Sequence, residues 1–216
     1  MHIIHLTSDF AVIFKPAGLL SEGDGADSVT AALREALSEL GTTPEGIYTV
    51  HRLDRTTEGL MVYALTKSAA ARLSKIIADG ELEKEYSALI SLPEEMEKSG
   101  EMRDYLFFDR RRDKSFVADS ARRGAKEAVL TYTLTEVGSY RERPAAVARI
   151  KLETGRTHQI RVQFGSRKAP LFGDGKYGSR VNYKHASLRS VKLSFPWKGE
   201  ELSFECEELT LGEKLC

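Results

Sequence analysis

The stretch His51-Arg52-Leu53-Asp54-Arg55-Thr56-Thr57-Glu58-Gly59-Leu60 is the densest group of reactive side chains in the sequence. It comes directly before an apolar run at 60–65 that predicts a short buried strand. Asp54 stands between two arginines, and nearby positive charge favours an ionised carboxylate. Such a group can act as a nucleophile or a base. A solvated cluster of surface ion pairs explains the same residues equally well, so this stretch alone leaves the function open.

A second polar stretch, residues 152–164, follows an apolar strand predicted at about 145–153. Ile160 and Phe164 alternate with polar residues, which is typical of a strand, but they also share one face of a helix. Thr157 would cap that helix well. The residues therefore leave both structures open for this segment.

If this stretch is helical, each of its two arginines has a possible role. Exposed amides at a helix N-terminus can bind an anion, and Arg156 stands beside that terminus. Arg161 lies one turn further in, where a partly buried arginine needs an acidic partner. A capping motif with a solvated arginine is the equally good structural alternative.

Together the two stretches resemble motifs of the RluA-type pseudouridine synthases. Residues 51–60 resemble the His-Arg-Leu-Asp signature loop of that family, except that Glu58 stands where serine is usual. Residues 154–163 are similar to its later Thr-Gly-Arg-Thr-His-Gln-Ile-Arg-Val motif. Three shorter motifs also match in order: Lys15-Pro16-Ala17-Gly18, Lys84-Glu85-Tyr86 and Gly173-Asp174-Gly175-Lys176-Tyr177-Gly178.

The resemblance implies a role for four side chains. Asp54 matches the catalytic aspartate, and Tyr86 matches the tyrosine that stacks on the target base. Arg161 matches the arginine paired with that aspartate. Arg52 matches the side chain that helps displace the base from the RNA. Without the resemblance, Tyr86 is read more simply as a packing aromatic of a strand.

The implied activity is the isomerisation of a uridine to pseudouridine within ribosomal or transfer RNA. This reaction neither oxidises the substrate nor transfers a group from outside, so we expect no cofactor and no metal. RNA is the expected partner, with no obligate protein partner. Arg110, Arg111 and Arg112 could grip phosphates, although a run of this kind is often only a solvated surface.

Glu58 and the segment before Pro170 depart from the family pattern. Glu58 places a second acid four residues from Asp54, where it could face either the site or solvent. The residues before Pro170 read Arg167-Lys168-Ala169 instead of the usual Gly-His, which affects local loop shape.

The apolar spacing predicts an α+β protein with more strands than helices. Residues 99–126 are charged and lack clear periodicity, so we expect an insertion or loop there, with room for a short hairpin. We expect one pseudouridine synthase catalytic domain over 1–216, built on a mixed, mostly antiparallel sheet flanked by helices and loops, with no separate N-terminal RNA-binding domain. Helices are predicted at about 28–40 and 66–79, and strands at 2–15 (a hairpin), 60–65, 85–92, 127–137, 145–153, 185–195 and 201–206.

The composition fits a folded protein without a membrane span. Hydrophobic residues make up 41% and charged residues 30%, with 32 basic and 32 acidic side chains. The zero net charge hides an uneven distribution, since residues 103–126 hold eight basic and four acidic side chains. The two cysteines, Cys206 and Cys216, do not form a zinc or disulfide pattern. We find no secretory signal or long apolar run, and expect a cytoplasmic protein.

Two other functions fit parts of the sequence. An inactive RNA-binding module could share the fold, but Asp54, Tyr86 and Arg161 are all in place. A glycoside hydrolase also uses carboxylates at an anomeric carbon, but it generally needs two of them at a defined separation. Glu58 is the only obvious second acid, and the remaining motifs have no role in that chemistry.

Overall fold

The computed structural model describes residues 1–212 and divides the chain into two compact units; Cys216 lies outside the described residues. The first unit comprises Met1–Lys84 and Ser190–Glu207, and the second comprises Glu85–Arg189 and, among the described residues, 208–212. The expectation of a single domain, with no separate N-terminal one, stays a prediction.

The elements confirm the α+β class, with many strands and three helices. In chain order they are β1 (His2–Leu6), β2 (Phe10–Lys15), α1 (Val29–Glu39), β3 (Tyr48–Thr49), β4 (Glu58–Ala64), α2 (Lys67–Ala78), β5 (Glu83–Ser91), β6 (Ser99–Asp109), β7 (Lys114–Ala118), β8 (Lys126–Tyr140), β9 (Arg143–Leu152), α3 (Gln159–Ser166), a 3₁₀ turn (Gly175–Tyr177), β10 (Leu188–Trp197) and β11 (Glu200–Glu205).

In the first unit, β1, β2, β4 and β10 lie side by side in that order. Strand β3 pairs with β4, and β11 pairs with β10. The predicted hairpin of β1 and β2 is confirmed, and β2 runs antiparallel to β4 with Lys15 opposite Gly59. This register places the end of β2 beside the start of β4, a few residues after Asp54 in the chain.

Both predicted helices of the first unit are confirmed, with the caps that start them. Ser28 accepts a hydrogen bond from the Ala31 amide at 3.2 Å, and Thr66 accepts one from the Ala69 amide at 3.1 Å. These hydroxyls satisfy amides that a helix leaves free at its start. The apolar face of α2 packs on the sheet in a core of Phe10, Val12, Leu60, Val62, Leu73, Ile76, Leu193, Phe195 and Trp197.

Gly59 lets β4 approach β10 closely. Its φ is +114°, a conformation that side chains disfavour. A Cβ atom there would lie 2.3 Å from the carbonyl oxygen of Ser190 and 2.5 Å from its amide nitrogen. The glycine of the signature stretch is therefore required by the packing of two backbones.

In the second unit, the strands follow the order β5, β9, β8, β6, β7, with every neighbouring pair antiparallel. Within residues 99–126, where we expected a loop with room for a short hairpin, β6 and β7 form a hairpin, and β6 is longer than expected. Strand β6 pairs with both β7 and β8. Met102 and Leu106, four residues apart on one face of β6, are buried. Charged residues on the other face hid this spacing. That the segment is an insertion stays a prediction.

Candidate active site

Asp54 lies on a short loop, residues 51–57, that leads into β4; we call it the Asp54 loop. His51 and Leu53 are buried and fasten the loop to the interior of the first unit. Arg52 is exposed and Asp54 is half-buried. The alternation therefore presents the arginine and the acid outward from a firmly held backbone.

Lys15 holds the backbone of this loop from beneath. Its side chain is fully buried at the end of β2. The ammonium donates to the carbonyl oxygen of Thr57 at 2.7 Å and lies 3.3 Å from that of Asp54 and 3.4 Å from that of Arg55. It also donates to the carbonyl of Pro16 at 3.2 Å. The Lys15 ammonium thus contacts three backbone carbonyl groups of the Asp54 loop.

The charge of Lys15 depends on its surroundings. Burial lowers the pKa of Lys15 to about 8, and the Arg55 guanidinium lowers it further. The carboxylates of Asp54 and Glu58 oppose this by raising the same pKa. Glu58, the departure from the family pattern, therefore helps to keep Lys15 protonated.

Two further contacts fix the same loop. The Ser21 hydroxyl donates to the Leu53 carbonyl at 2.8 Å and accepts from the Leu53 amide at 3.1 Å. The Tyr63 hydroxyl in turn donates to the Ser21 carbonyl at 2.7 Å. Arg55 donates to the Gly18 carbonyl at 2.8 Å, and the Gly18 amide returns a bond of 2.7 Å to the Arg55 carbonyl. Ser21 could not be found from the sequence, because a lone serine 32 residues away from Leu53 carries no recognisable signal.

His51 joins the Asp54 loop to β4 by a hydrogen bond. Its Nε2 accepts the amide hydrogen of Val62 at 3.1 Å. Burial, and secondarily the charge of Lys84, lowers the pKa of His51 to about 3. The imidazole is therefore neutral at physiological pH and anchors the loop to β4.

Arg161 has a buried acidic partner within the second unit. The segment after β9 is helical from Gln159 to Ser166, which decides between the two structures left open by the sequence. Arg161 Nε donates to Asp174 Oδ2 at 2.6 Å and Nη2 to Asp174 Oδ1 at 2.8 Å. The two side chains are 6% and 1% exposed, so this is a two-pronged ion pair shielded from water. The pairing of Arg161 with Asp54 stays a prediction.

The Tyr177 ring joins the same network. It lies 5.1 Å from the Arg161 guanidinium, and its hydroxyl accepts from the Ser115 amide at 2.8 Å. His158 Nδ1 lies 2.9 Å from that hydroxyl. The motif that contains Arg161 and the motif that contains Asp174 and Tyr177 are therefore in direct contact in the interior of the second unit.

The start of α3 differs from the predicted cap. His158, in the left-handed conformation with φ of 55°, occupies the cap position and makes no side-chain cap bond, and Thr157 does not take that role. Gln159 holds the preceding turn instead, with its Oε1 accepting from the Arg156 amide and the Thr154 hydroxyl, both at 2.9 Å. Arg156 reaches outward to the Glu127 carbonyl at 2.7 Å.

Tyr86 lies on β5 opposite Ile150 of β9 and is 5% exposed. Its neighbour Glu85 accepts from Arg149 at 2.7 Å, and Arg149 also binds Glu208 at 2.5 Å. This ion-pair group fixes the strand that carries Tyr86. The role of Tyr86 in stacking stays a prediction.

The arginine run forms the turn between β6 and β7. Arg110, Arg111 and Arg112 are all exposed. Asp109 shapes the turn, because its Oδ1 accepts from the amides of Arg111 at 2.9 Å and Arg112 at 3.2 Å. The backbone is therefore capped, and Arg112 Nε also lies 3.8 Å from Asp109 Oδ2 although its side chain is 73% exposed.

Among residues 1–212, no group of three or more histidine, cysteine, aspartate or glutamate side chains could hold a metal ion.

No helix in the described part of the chain has the length and apolar character needed to cross a membrane.

Comparison with known proteins gives the fold and the family. Two human structures resemble this chain. Human RNA Pseudouridylate Synthase Domain Containing 1 has a TM-score of 0.82 and 22% identity, and the match covers 96% of this chain and 83% of that chain. Human RNA Pseudouridylate Synthase Domain Containing 4 has a TM-score of 0.79 and 24% identity, and the match covers 96% of this chain and 88% of that chain. The predicted pseudouridine synthase fold is thereby confirmed.

Curated relatives agree. An uncharacterized RNA pseudouridine synthase of Aquifex aeolicus (strain VF5) is 32% identical over 96% of this chain and 69% of its own length. Ribosomal large subunit pseudouridine synthase D of Vibrio cholerae is also 32% identical, over 94% of this chain and 66% of its own length. A family model described as RNA pseudouridylate synthase matches residues 9–166. The chain therefore belongs to the RNA pseudouridylate synthase family, whose members are RNA isomerases.

Proposed function

We propose that this protein converts a specific uridine in ribosomal or transfer RNA to pseudouridine, with Asp54 as the catalytic carboxylate. The observation that carries the proposal is the construction of the Asp54 loop. Lys15, Ser21 and His51 fix its backbone, while Asp54 stays half-buried at its surface. A rigid support of this kind suits a group that must meet a reacting atom with little freedom.

The reaction uses only the RNA and protein side chains. A base in a loop is the least costly to extract, because it is unpaired or poorly stacked. Arg52, exposed beside Asp54, helps to displace the uridine, and Tyr86 receives its ring. Asp54 then promotes cleavage of the N-glycosidic bond, either by attack on C1′ or by removal of a ribose proton. The freed uracil rotates and rejoins through C5, which loses its proton while N1 gains one, so the reaction needs no cofactor or metal.

Arg161 provides the cationic group for this chemistry. Its bidentate bond to Asp174 fixes the guanidinium plane and leaves little rotational freedom. Arg156 is half-buried and the run from Arg110 to Arg112 is exposed, and both are suited to phosphate contacts. We expect the protein to act in the cytoplasm.

Ribosomal RNA is the first substrate to test, since the relative from Vibrio cholerae bears the name of a ribosomal large subunit enzyme. Pseudouridines would be mapped at nucleotide resolution in ribosomal and transfer RNA from cells with and without this protein. We expect one site to lose the modification and to regain it when the purified protein is added. Identical maps, together with no activity of the purified protein on unmodified RNA, contradict the proposal.

A further inference from the structure

The hairpin of β6 and β7 has a buried face and an open face. Met102 and Leu106 on β6 are 1% and 4% exposed, whereas Tyr105 is 38% exposed. On β7, the Ser115 hydroxyl donates to the Thr157 carbonyl, which places Ser115 on the buried face. Because successive side chains of a strand alternate, the neighbours of these residues point to the open face.

The open face carries flat rings. The strand register sets Phe107 opposite Phe116, and Tyr105 lies two residues before Phe107 on the same face. The Arg122 guanidinium carbon lies 3.8 Å from the centre of the Phe107 ring. Arginine stacked on an aromatic ring presents its own outer plane to solvent. We call Tyr105, Phe107, Phe116 and Arg122 the outer aromatic patch.

Positive charge flanks the patch at both ends. The run from Arg110 to Arg112 forms the tip of the hairpin, directly beyond the pair of Asp109 and Lys114. At the other end, Glu127 lies opposite Tyr105, and its carbonyl holds Arg156 at 2.7 Å. From the tip to Tyr105 the strand advances four residues, or about 13 Å, which is room for a few nucleotides.

The acids near the patch are already engaged, whereas Arg122 and its chain neighbour Arg123 keep their charge available. Neither Arg122 nor Arg123 forms an ion pair with any residue within 1–212. The neighbouring acids are each used: Glu101 and Glu127 bind Arg103 at 3.0 and 2.9 Å, Asp109 caps the hairpin turn, Asp113 binds Lys176, and Asp119 accepts from the Ala121 amide.

We propose that the outer aromatic patch binds a single-stranded stretch of the substrate RNA, outside the target uridine, by base stacking. The bases stack on Tyr105 and on the plane of Arg122, while Arg156 and the hairpin tip contact phosphates. Aromatic rings beside cations are the features that recognise unpaired nucleic acid, since every base has a π face and every nucleotide a charge. The identity of the RNA as substrate rests on the proposed function.

Two probes separate stacking from charge. One is a fluorescently labelled 12-nucleotide oligouridylate, and the other is inorganic polyphosphate, which has the charge but no bases. Tyr105→Ser removes a ring, and Arg122→Lys keeps the charge but removes the guanidinium plane. Because stacking contributes about 1–3 kcal/mol per base, we expect each variant to bind oligouridylate roughly 5- to 150-fold more weakly. Polyphosphate affinity should change less than about twofold.

Lys67→Gln is the matched control, because Lys67 lies on α2 in the first unit and its side chain is 80% exposed. It should bind both probes as the wild type does. Unchanged oligouridylate affinity in Tyr105→Ser overturns the proposal, and so does an equal loss for both probes. Tyr105 is exposed, so this variant decides the question even if Arg122→Lys does not fold.

Turnover separates this proposal from the proposed function. With an RNA that the wild type modifies, Tyr105→Ser should raise KM and leave kcat unchanged. A fall in kcat with unchanged KM contradicts a remote binding patch. If the wild type modifies no RNA but Tyr105→Ser still loses oligouridylate binding, the proposed function fails and the patch stands.

Discussion

At the scale of single residues, the ammonium of Lys15 holds the Asp54 loop together. Lys15→Met removes the donor to the buried Thr57 carbonyl, and a buried acceptor left without its donor costs about 1–3 kcal/mol. The loop should then shift, and small misplacements reduce turnover by about 100-fold. We expect kcat for pseudouridine formation to fall far more than RNA affinity. Lys67→Met, at an exposed lysine, is the control, and a kcat like that of the wild type in Lys15→Met contradicts this role.

Glu58 should set the alkaline limit of activity. Its carboxylate raises the pKa of Lys15, so Glu58→Ser lets that pKa fall below about 8. Lys15 then loses its proton at a lower pH and holds the loop carbonyls less strongly. We expect the alkaline limb of the rate profile to move to lower pH, as measured under single-turnover conditions. A limb that stays in place or moves upward argues against this coupling, and Glu39→Ser on α1 serves as the control.

His51 should make the protein sensitive to acid. Its pKa is about 3 in the folded chain against an ordinary value of 6.5, so the unfolded chain binds the proton first as pH falls. Stability from the neutral imidazole is complete above about pH 6.5 and is lost progressively toward pH 3. Between pH 7 and 5 the loss amounts to about 2 kcal/mol. Urea unfolding of the wild type and of His51→Gln at both pH values should show this difference; equal pH dependence would refute it.

These residues differ in how far their roles can be predicted from the sequence. The charge pattern around Asp54 marked a reactive loop but left catalysis and a surface cluster equally possible. Lys15 was visible only as part of a motif, because its role depends on a strand register that sets it opposite Gly59. Arg161 was expected to need an acid, and Asp174 was not identified for it, since the two meet only after the turn at 167–173 has formed.

At the scale of elements, Gly59 controls how closely β4 and β10 pack. Gly59→Ala places a methyl group against the Ser190 backbone and adds the cost of a positive φ, about 1–2 kcal/mol. We expect a total destabilisation of roughly 3 kcal/mol or more. Gly41→Ala is the matched control, because its φ is +68° with nothing within 4 Å of the added carbon. Urea titrations should separate the two variants, and equal costs would show that the close packing is unimportant.

Elements with strong local signals were predictable. Ser28 and Thr66 begin helices because their hydroxyls cap them, and β4 is a continuous apolar run. The length of β6 and its pairing with β8 were not predicted, because its buried residues Met102 and Leu106 are interspersed with charged residues. The segment 157–165 carried both periodicities, and packing of Arg161 and Phe164 into the interior selects the helix.

At the scale of the whole molecule, the fold class and the family follow from sequence motifs that the structure explains physically. The motif glycines, lysine and histidine hold backbone in place, and only a few motif side chains remain for chemistry. The substrate RNA does not follow from them, because recognition depends on exposed surfaces such as the β6–β7 hairpin, where single residues carry weak signals.

The central claim is that Asp54 performs the chemistry, and Asp54→Asn tests it most directly. Asparagine keeps the size of the side chain and removes the carboxylate. On an RNA that the wild type modifies, we expect Asp54→Asn to fold and to bind the RNA with wild-type affinity but to form no pseudouridine. Asp24→Asn, at a side chain that is 99% exposed, should be fully active. Pseudouridine formation by Asp54→Asn at the rate of the wild type would contradict the account.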